Sequence, residues 1–174
     1  MKRYLDCANK FKIKNIIRIT SDCPLIDTTV IKNMLNNFIK SKYNYYSNNC
    51  ILSQKRFADG LDVEIFSSKS LKKAYKIANK KSDYEHVTNI YWKKNNCFRI
   101  GFYKPIYNQK DYRFSIDYKS DLTAIKKILK LIKKKKSQIT TKNIIFYLNN
   151  EKKIKNTLDL NLKKFISNRP DLKV

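Results

Sequence analysis

Asp22 and Asp117 are the residues of this chain best placed to do chemistry, and that chemistry would be the binding of a divalent cation. Each stands directly behind a run that reads as a strand: Ile16-Ile17-Arg18-Ile19-Thr20 leads to Asp22, and Tyr112-Arg113-Phe114-Ser115-Ile116 leads to Asp117. In an open α/β sheet the ligand crevice lies outside the carboxyl ends of the strands, so two such aspartates can be neighbours although far apart in sequence. Two carboxylates there can hold Mg²⁺ together with several waters and bridging phosphate oxygens. Local readings compete at both positions. Asp22 sits just before Cys23-Pro24 and suits a turn, and Asp117 suits a strand end or a helix cap.

Strands and helices in alternation must position these groups, and the apolar periodicity supplies them. Tyr4, Leu5, Ala8 and Phe11 fall at helical spacing, and residues 15–20 read as a buried strand. A second helix carries Val30, Ile31, Met34, Leu35, Phe38 and Ile39 on one face. Short strands are expected at 43–47 and 62–66; in the second, Val63 and Ile65 alternate with Asp62 and Glu64, which turns both carboxylates to one side. Ser68 or Ser70 can cap a helix bearing Leu71, Ala74, Tyr75 and Ala78. Ser82-Asp83-Tyr84-Glu85 fits the capping box S-x-x-E, giving Glu85 a local role beside any contact with a ligand. Strands near 98–103 and 112–117 precede a helix through Leu122, Ile125, Ile128, Leu129 and Ile132. A last helix around 141–148 runs into a polar, lysine-rich tail. The alternation predicts an α/β fold with a mostly parallel sheet flanked by helices, with residues 1–136 as the domain and 137–174 as a helical, lysine-rich extension.

A formal charge of +25, from 39 Lys+Arg against 14 Asp+Glu, raises polyanions as partners. The excess is mostly lysine and travels with many Asn, Ile and Tyr residues, the bias of an A- and T-rich coding sequence. The only sustained run, Lys133 to Lys136, reads as a solvated helix end. A specific nucleic-acid partner is therefore not expected. Cys7, Cys23, Cys50 and Cys97 form no C-x-x-C pair and have only His86 to share a metal with, so reduced thiols rather than zinc are expected. No apolar run has the length of a membrane span, and Asp6 and Asn9 stand where a signal peptide needs an apolar core. The expected location is cytoplasmic.

Five blocks, in order, carry a family likeness. Arg18-Ile19-Thr20-Ser21-Asp22-Cys23-Pro24-Leu25-Ile26-Asp27 resembles R-[IL]-T-x-D-x-P-L-[IV]-D of the sugar-acid cytidylyltransferases, the family of spore coat polysaccharide biosynthesis protein F and the sialate- and Kdo-activating enzymes. Tyr45-Tyr46-Ser47-Asn48 resembles D-Y-x-S-N, and residues 59–67 resemble G-x-D-V-E-[VI]-F-S. Glu85-His86-Val87-Thr88 matches E-H-V-T, and residues 113–122 resemble R-[LF]-[TS]-[VI]-D-x-x-x-D-L. The likeness thins after Lys133.

The resemblance implies a Rossmann-like, nucleotide-diphospho-sugar transferase type of fold, with CTP and a sugar acid as substrates. It implies Asp22 and Asp117 as the Mg²⁺ ligands and catalytic residues, and a CMP-sugar for surface polysaccharide as product. Asn48, Asp62, Glu64, His86 and Arg113 are the candidates for the sugar side, Arg113 as a positive charge for the carboxylate. Bland alternatives stand beside them: a lone His satisfied locally, and Arg113 paired with Asp111 or Asp117. A homodimer is a further open expectation. Tyr84 and Asn89 depart from the Arg and Pro that often flank E-H-V-T. The family also opens with a strand and a basic, glycine-containing loop that grips the CTP phosphates, whereas Gly60 and Gly101 are the only glycines here. The sequence therefore reads as a fragment lacking that nucleotide-binding segment, with an open sheet edge and no CMP-sugar synthesis of its own. The competing classes are a nucleotide-sugar glycosyltransferase, whose D-x-D motif is approached only by Asp62-Val63-Glu64, and a non-catalytic basic binding protein.

Overall fold

The computed structural model describes residues 1–49, 56–94 and 97–168. Its elements run α1 (Lys2–Lys10), β1 (Asn15–Arg18), α2 (Thr28–Lys40), β2 (Tyr45–Ser47), β3 (Glu64–Ser67), α3 (Ser68–Ile77), α4 (Lys81–Glu85), α5 (Asn89–Lys93), β4 (Ile100–Phe102), α6 (Lys119–Lys134), α7 (Thr141–Asn150) and α8 (Lys152–Ser167). The expected alternation of strands and helices is present, but the sheet is mixed rather than mostly parallel. Its order is β1-β3-β2-β4, with β3 antiparallel to both β1 and β2 and only β2 and β4 parallel. Parallel neighbours need a long crossover, usually helical. The pair β2 and β4 has α3, α4 and α5 between its strands, whereas β3 follows β2 with no helix among the described residues between them. The strand expected at 112–117 is reduced to one parallel bridge, between Asp59 and Arg113.

The chain divides into two compact units that interleave in sequence: Met1–Arg18, Lys32–Cys50 and Val63–Tyr103 form one, and Ile19–Ile31, Ile51–Asp62 and Lys104–Val174 form the other. The first holds the sheet. Its core gathers Leu5 and Ala8 of α1, Leu71 and Ala74 of α3, Ile16, Phe66, Val87 and Ile90 around Tyr45 and Tyr91, whose rings stack with centroids 4.8 Å apart. The cap of α3 is Ser67, one residue before the expected serines; its hydroxyl accepts from the Ser70 amide at 3.0 Å. At α4 the N-terminal acceptor is Asp83, which takes the Lys80 amide at 3.3 Å. Glu85 is the last residue of that helix, so the capping role expected of it falls to Asp83.

The second unit is built on α6, α7 and α8. Ala124, Ile125, Ile128 and Ile132 of α6 pack with Ile144, Ile145 and Leu148 of α7, with Ile154 and Leu158 of α8, and with Leu25, Ala58, Leu61 and Phe114 from the loops. The segment after 148, expected as a polar tail, is thus a helix of 16 residues with a buried stripe. Asp27, last of the Arg18–Asp27 block, ties two helix starts together. One carboxylate oxygen accepts the Thr29 and Val30 amides at 2.9 and 3.3 Å, and the other accepts the amide and hydroxyl of Thr141 at 2.8 and 3.1 Å. Anionic caps at helix N-termini satisfy amides that have no partner within the helix. Among the described residues no helix is long and apolar enough to cross a membrane.

Candidate active site

Three loop segments of the second unit converge on one set of carboxylates. The turn closed by the Cys23 amide on the Thr20 carbonyl, at 3.2 Å, presents Asp22, whose own carbonyl accepts the Ile116 amide at 2.9 Å. The segment at Asp59 runs beside the same stretch: its amide donates to the Tyr112 carbonyl at 3.1 Å and its carbonyl accepts from Phe114 at 2.6 Å. Gly60 makes this approach possible. It has φ +84°, and a Cβ there would strike the backbone of Phe114 and Ser115, so only glycine meets both demands. The sequence blocks around Asp22, Asp59 to Asp62 and Asp117 therefore meet in space. The Asp22 and Asp117 backbones lie beside each other through the Ile116 bond.

Arg113 organises the charges. Its side chain is wholly buried, and its guanidinium meets three carboxylates: Asp59 through Nε at 3.3 Å, Asp121 through Nη1 at 3.1 Å, and Asp117 through Nη2. The Nε contact lacks hydrogen-bond geometry. Ser115 Oγ lies 2.9 Å from Asp59 Oδ2 and 3.2 Å from Asp117 Oδ2. Asp121 is itself fully buried and well supplied. Its Oδ2 accepts the amides of Asp117 and Tyr118 at 3.0 and 2.9 Å besides Arg113, and its Oδ1 accepts from Asn161 at 2.6 Å. Burial opposes its charge, but the Tyr118 amide, Asn161, the Asp117 amide and Arg113 outweigh it and hold the pKa below the ordinary carboxylate value. Asp59 goes the other way. Burial pushes its carboxyl up, the charges of Asp117 and Asp22 add to the rise, and Ser115 and Arg113 only partly offset it.

Cys23 links this group to Asp62. Its Sγ stands 3.1 Å from Thr20 Oγ1 and 3.7 Å from Asp22 Oδ1. Burial pushes the thiol up to about 12, with the charges of Asp62 and Asp22 contributing in the same direction. Asp62 also accepts the Gly60 amide at 3.4 Å. Four aspartates, Asp22, Asp59, Asp62 and Asp117, thus act on common neighbours.

The donor set suits a hard divalent cation that keeps most of its water. One guanidinium shared among Asp59, Asp117 and Asp121 leaves the group short of positive charge. The Asp117 and Asp59 side chains are 44% and 37% exposed while Arg113 and Asp121 are wholly buried, so solvent and ions reach the cluster from the Asp117 and Asp59 side. Among the described residues no three His, Cys, Asp or Glu side chains form a ready-made metal cage. Two carboxylates completed by water and phosphate oxygens are what Mg²⁺ usually takes in nucleotide sites.

The other sequence candidates are differently placed. Arg113 is enclosed by aspartates, with no exposed surface for a substrate carboxylate; it orders Asp117 instead, the pairing with Asp117 that the sequence left open. Glu64 and Asn48 belong to the unit that holds the sheet. Both Glu64 oxygens are engaged, by Arg18 of its register partner β1 and by the Tyr45 hydroxyl at 2.6 Å. Asn48 is buried, and its Oδ1 accepts the Val63 amide at 2.7 Å where β2 gives way to the loop. His86 is exposed at the end of α4. The next residue, Val87, has φ +59°, and the Thr88 amide reaches back to the His86 carbonyl at 2.5 Å. A β-branched residue in the left-handed region is a strained arrangement that surrounding packing must enforce, and Val87 is locked in the core. Sequence reasoning missed Asp59, Asp121 and Asn161. Asp59 was signalled by the Asp-Gly pair of a tight turn, and Asp121 by its position two residues into α6; nothing in the sequence marked Asn161.

The family model described as cytidylyltransferase matches residues 1–154. The chain is 28% identical over 161 residues to the uncharacterized protein MJ1063 of Methanocaldococcus jannaschii, an alignment covering 90% of this chain and 62% of that protein. Its fold is similar to the solved structure of a cytidylyltransferase from Leptospira borgpetersenii serovar Hardjo-bovis, with a TM-score of 0.70 and 25% identity, over 98% of this chain and 63% of the other. The chain thus spans less than two thirds of the length of both. With the family model matched along most of its length, and with the fold shared, the chain belongs to the cytidylyltransferase family.

Proposed function

We propose that this chain carries the metal side of an enzyme that activates a sugar acid with CTP, giving a CMP-sugar and pyrophosphate. The observation that carries the reading is the convergence of Asp59, Asp117 and Asp121 on one buried arginine, with the Asp22 loop bonded alongside through the Ile116 amide. In it, Asp22 and Asp117 hold Mg²⁺, which when bound screens the phosphates and stabilises charge in the transition state. The chain's own residues do the holding. Arg113 and Ser115 fix the Asp117 carboxylate from one side, and the Ile116 amide fixes the Asp22 loop through its carbonyl. Positioning of this kind is the main work in phosphoryl transfer. The bond formed joins the sugar-acid hydroxyl oxygen to the α-phosphorus, the bond broken releases pyrophosphate, and the hydroxyl proton leaves to solvent. The choice of a sugar acid, and the use of the product in surface polysaccharide, rest on the five motif blocks. His86 and Asp62 are the substrate-side candidates whose side chains are not enclosed in the way of Arg113.

The test is release of pyrophosphate from CTP with a panel of nonulosonic and ketoaldonic acids, run on this chain and on any longer product of the same gene. One of those acids should give Mg²⁺-dependent release, and Asp22→Asn or Asp117→Asn should each lower it by about a hundredfold or more. Release that survives both substitutions, or that occurs with no acid in any form of the protein, overturns the reading.

A further inference from the structure

Helix α8 puts an asparagine where a purely structural helix would carry another apolar residue. Ile154, Leu158, Asn161 and Phe165 are spaced 4, 3 and 4 apart and share one face. The first two are buried in the core of the second unit. The face then continues into the charge cluster. Asn161 Nδ2 donates to Asp121 Oδ1 at 2.6 Å and to Ser120 Oγ at 2.8 Å. The Phe165 ring lies 4.9 Å from the Arg113 guanidinium, on which the Tyr118 ring also bears at 5.6 Å. Lys164 in turn sits 4.8 Å from the Tyr118 ring. The family match ends at residue 154, before any of these contacts.

We infer that α8 is a latch on the site, in which Asn161 and Phe165 are positioning residues that lock Asp121 and Arg113 and thereby set the Asp117 carboxylate. The inference rests on the reading of Asp117 as a metal ligand. Arg113 Nη2 is what holds Asp117, so any shift of the guanidinium carries over to that carboxylate. An aromatic face on a guanidinium is directional as well as attractive, and the Asn161 donor completes Asp121, so that the Asp121 carboxylate need not swing toward other donors. Groups that orient a metal ligand from behind typically change metal affinity 10- to 100-fold when removed.

The test compares Phe165→Leu, Phe165→Tyr and Asn161→Ala with Leu160→Ala, an exposed α8 position, as control. Two quantities are read: the Arg113 guanidinium proton signals in ¹⁵N NMR spectra, and Mn²⁺ affinity by electron paramagnetic resonance. Phe165→Leu should remove the Phe165 part of the ring-current shift of Arg113, leaving that of Tyr118, and speed rotation of its guanidinium, and Phe165→Tyr should restore both. Phe165→Leu and Asn161→Ala should each weaken Mn²⁺ binding by about tenfold or more, with the control unchanged. A helix serving only the core would lower the melting temperature while leaving the Arg113 signals and Mn²⁺ affinity in place, and that result overturns the latch. Arg113 loosened with Mn²⁺ affinity unchanged, while Asp117→Asn abolishes binding, also overturns it. If the unsubstituted protein takes up no Mn²⁺, the metal reading falls while the Arg113 signals still decide whether α8 locks the arginine.

Discussion

Each unit pairs an arginine with acidic side chains, a half-buried Arg18 in one and a wholly buried Arg113 in the other, and the two are balanced differently. In the unit with the sheet, Arg18 meets Glu64 across the β1 and β3 register, and the Tyr45 hydroxyl occupies the second Glu64 oxygen. One cation faces one anion, so the charges cancel. In the other unit Arg113 faces Asp59, Asp117 and Asp121, with Asp22 close enough to push the Asp59 carboxyl up. A balanced pair on neighbouring strands holds strands together. A cluster with more carboxylates than cations costs folding energy that a structural role does not need, and it stays attractive to another cation. Shared block membership does not separate these cases, since Glu64 and Asp117 both lie in family motifs; charge balance does.

The largest expected effect comes from removing each arginine in turn. Arg113→Met leaves Asp121 charged and fully buried without its guanidinium, and should cost about 3–5 kcal/mol. Arg18→Met leaves Glu64 with the Tyr45 hydroxyl and some solvent, and should cost about 1–3 kcal/mol. Urea unfolding at neutral pH measures both. Equal costs would erase the contrast between the units.

A smaller effect lies in acid. The folded pKa of Asp121 is depressed, below an unfolded value of about 3.9, so the folded state binds fewer protons there. Its contribution is complete above about pH 4 and is lost as pH falls through the depressed value. Asp59 is raised, so the folded state binds more protons, and stability declines as pH climbs from about 4 through the raised value. Asp121→Asn should flatten the acid limb of a stability profile. Asp59→Asn should instead remove the decline on the alkaline side of that window, and added Mg²⁺ should shrink the decline in the unsubstituted protein. A profile unaltered by either substitution would mean that the cluster carries no excess charge.

What the sequence showed and what it hid divide along physical lines. Local periodicity placed α1, α2, α3, α6 and α7, and the apolar run before Asp22 placed β1, because those signals depend on neighbours in the chain. Strand direction depends on which strand lies alongside, so the antiparallel β3 was not legible. Alternation put Glu64 opposite Val63 and Ile65, but the strand begins at Glu64 with both Ile65 and Phe66 buried, and the sequence could not show that Glu64 would be taken by Arg18 and Tyr45. The burial of Arg113 was hidden for the same reason: its partners come from residues 59, 117 and 121, and only the first lies far off in sequence. Helix α8 was obscured by its lysines, because its buried stripe holds just Ile154 and Leu158 before turning polar at Asn161.

The smallest expected effect is on cysteine reactivity, and it probes the same contrast from the Asp22 side. Cys7 is exposed on α1, while Cys23 is buried beside Asp22 and Asp62. Burial and those charges hold the Cys23 thiol at about 12, so at pH 8 it should alkylate roughly a thousandfold more slowly than an open thiol with the ordinary value of about 8.5. Peptide mass spectrometry after timed labelling should find Cys7 modified first. The sharper measurement is the change in the Cys23 rate. Asp22→Asn removes one of the charges that disfavour the thiolate, and should speed Cys23 labelling by about tenfold or less, a pKa change of about one unit or less. A divalent cation on Asp22 should act in the same direction, because it neutralises the same charge. Cys7, on α1 in the other unit, should respond to neither. A Cys23 rate indifferent to both Asp22→Asn and Mg²⁺ would mean that the cation, if it binds, does not sit on Asp22.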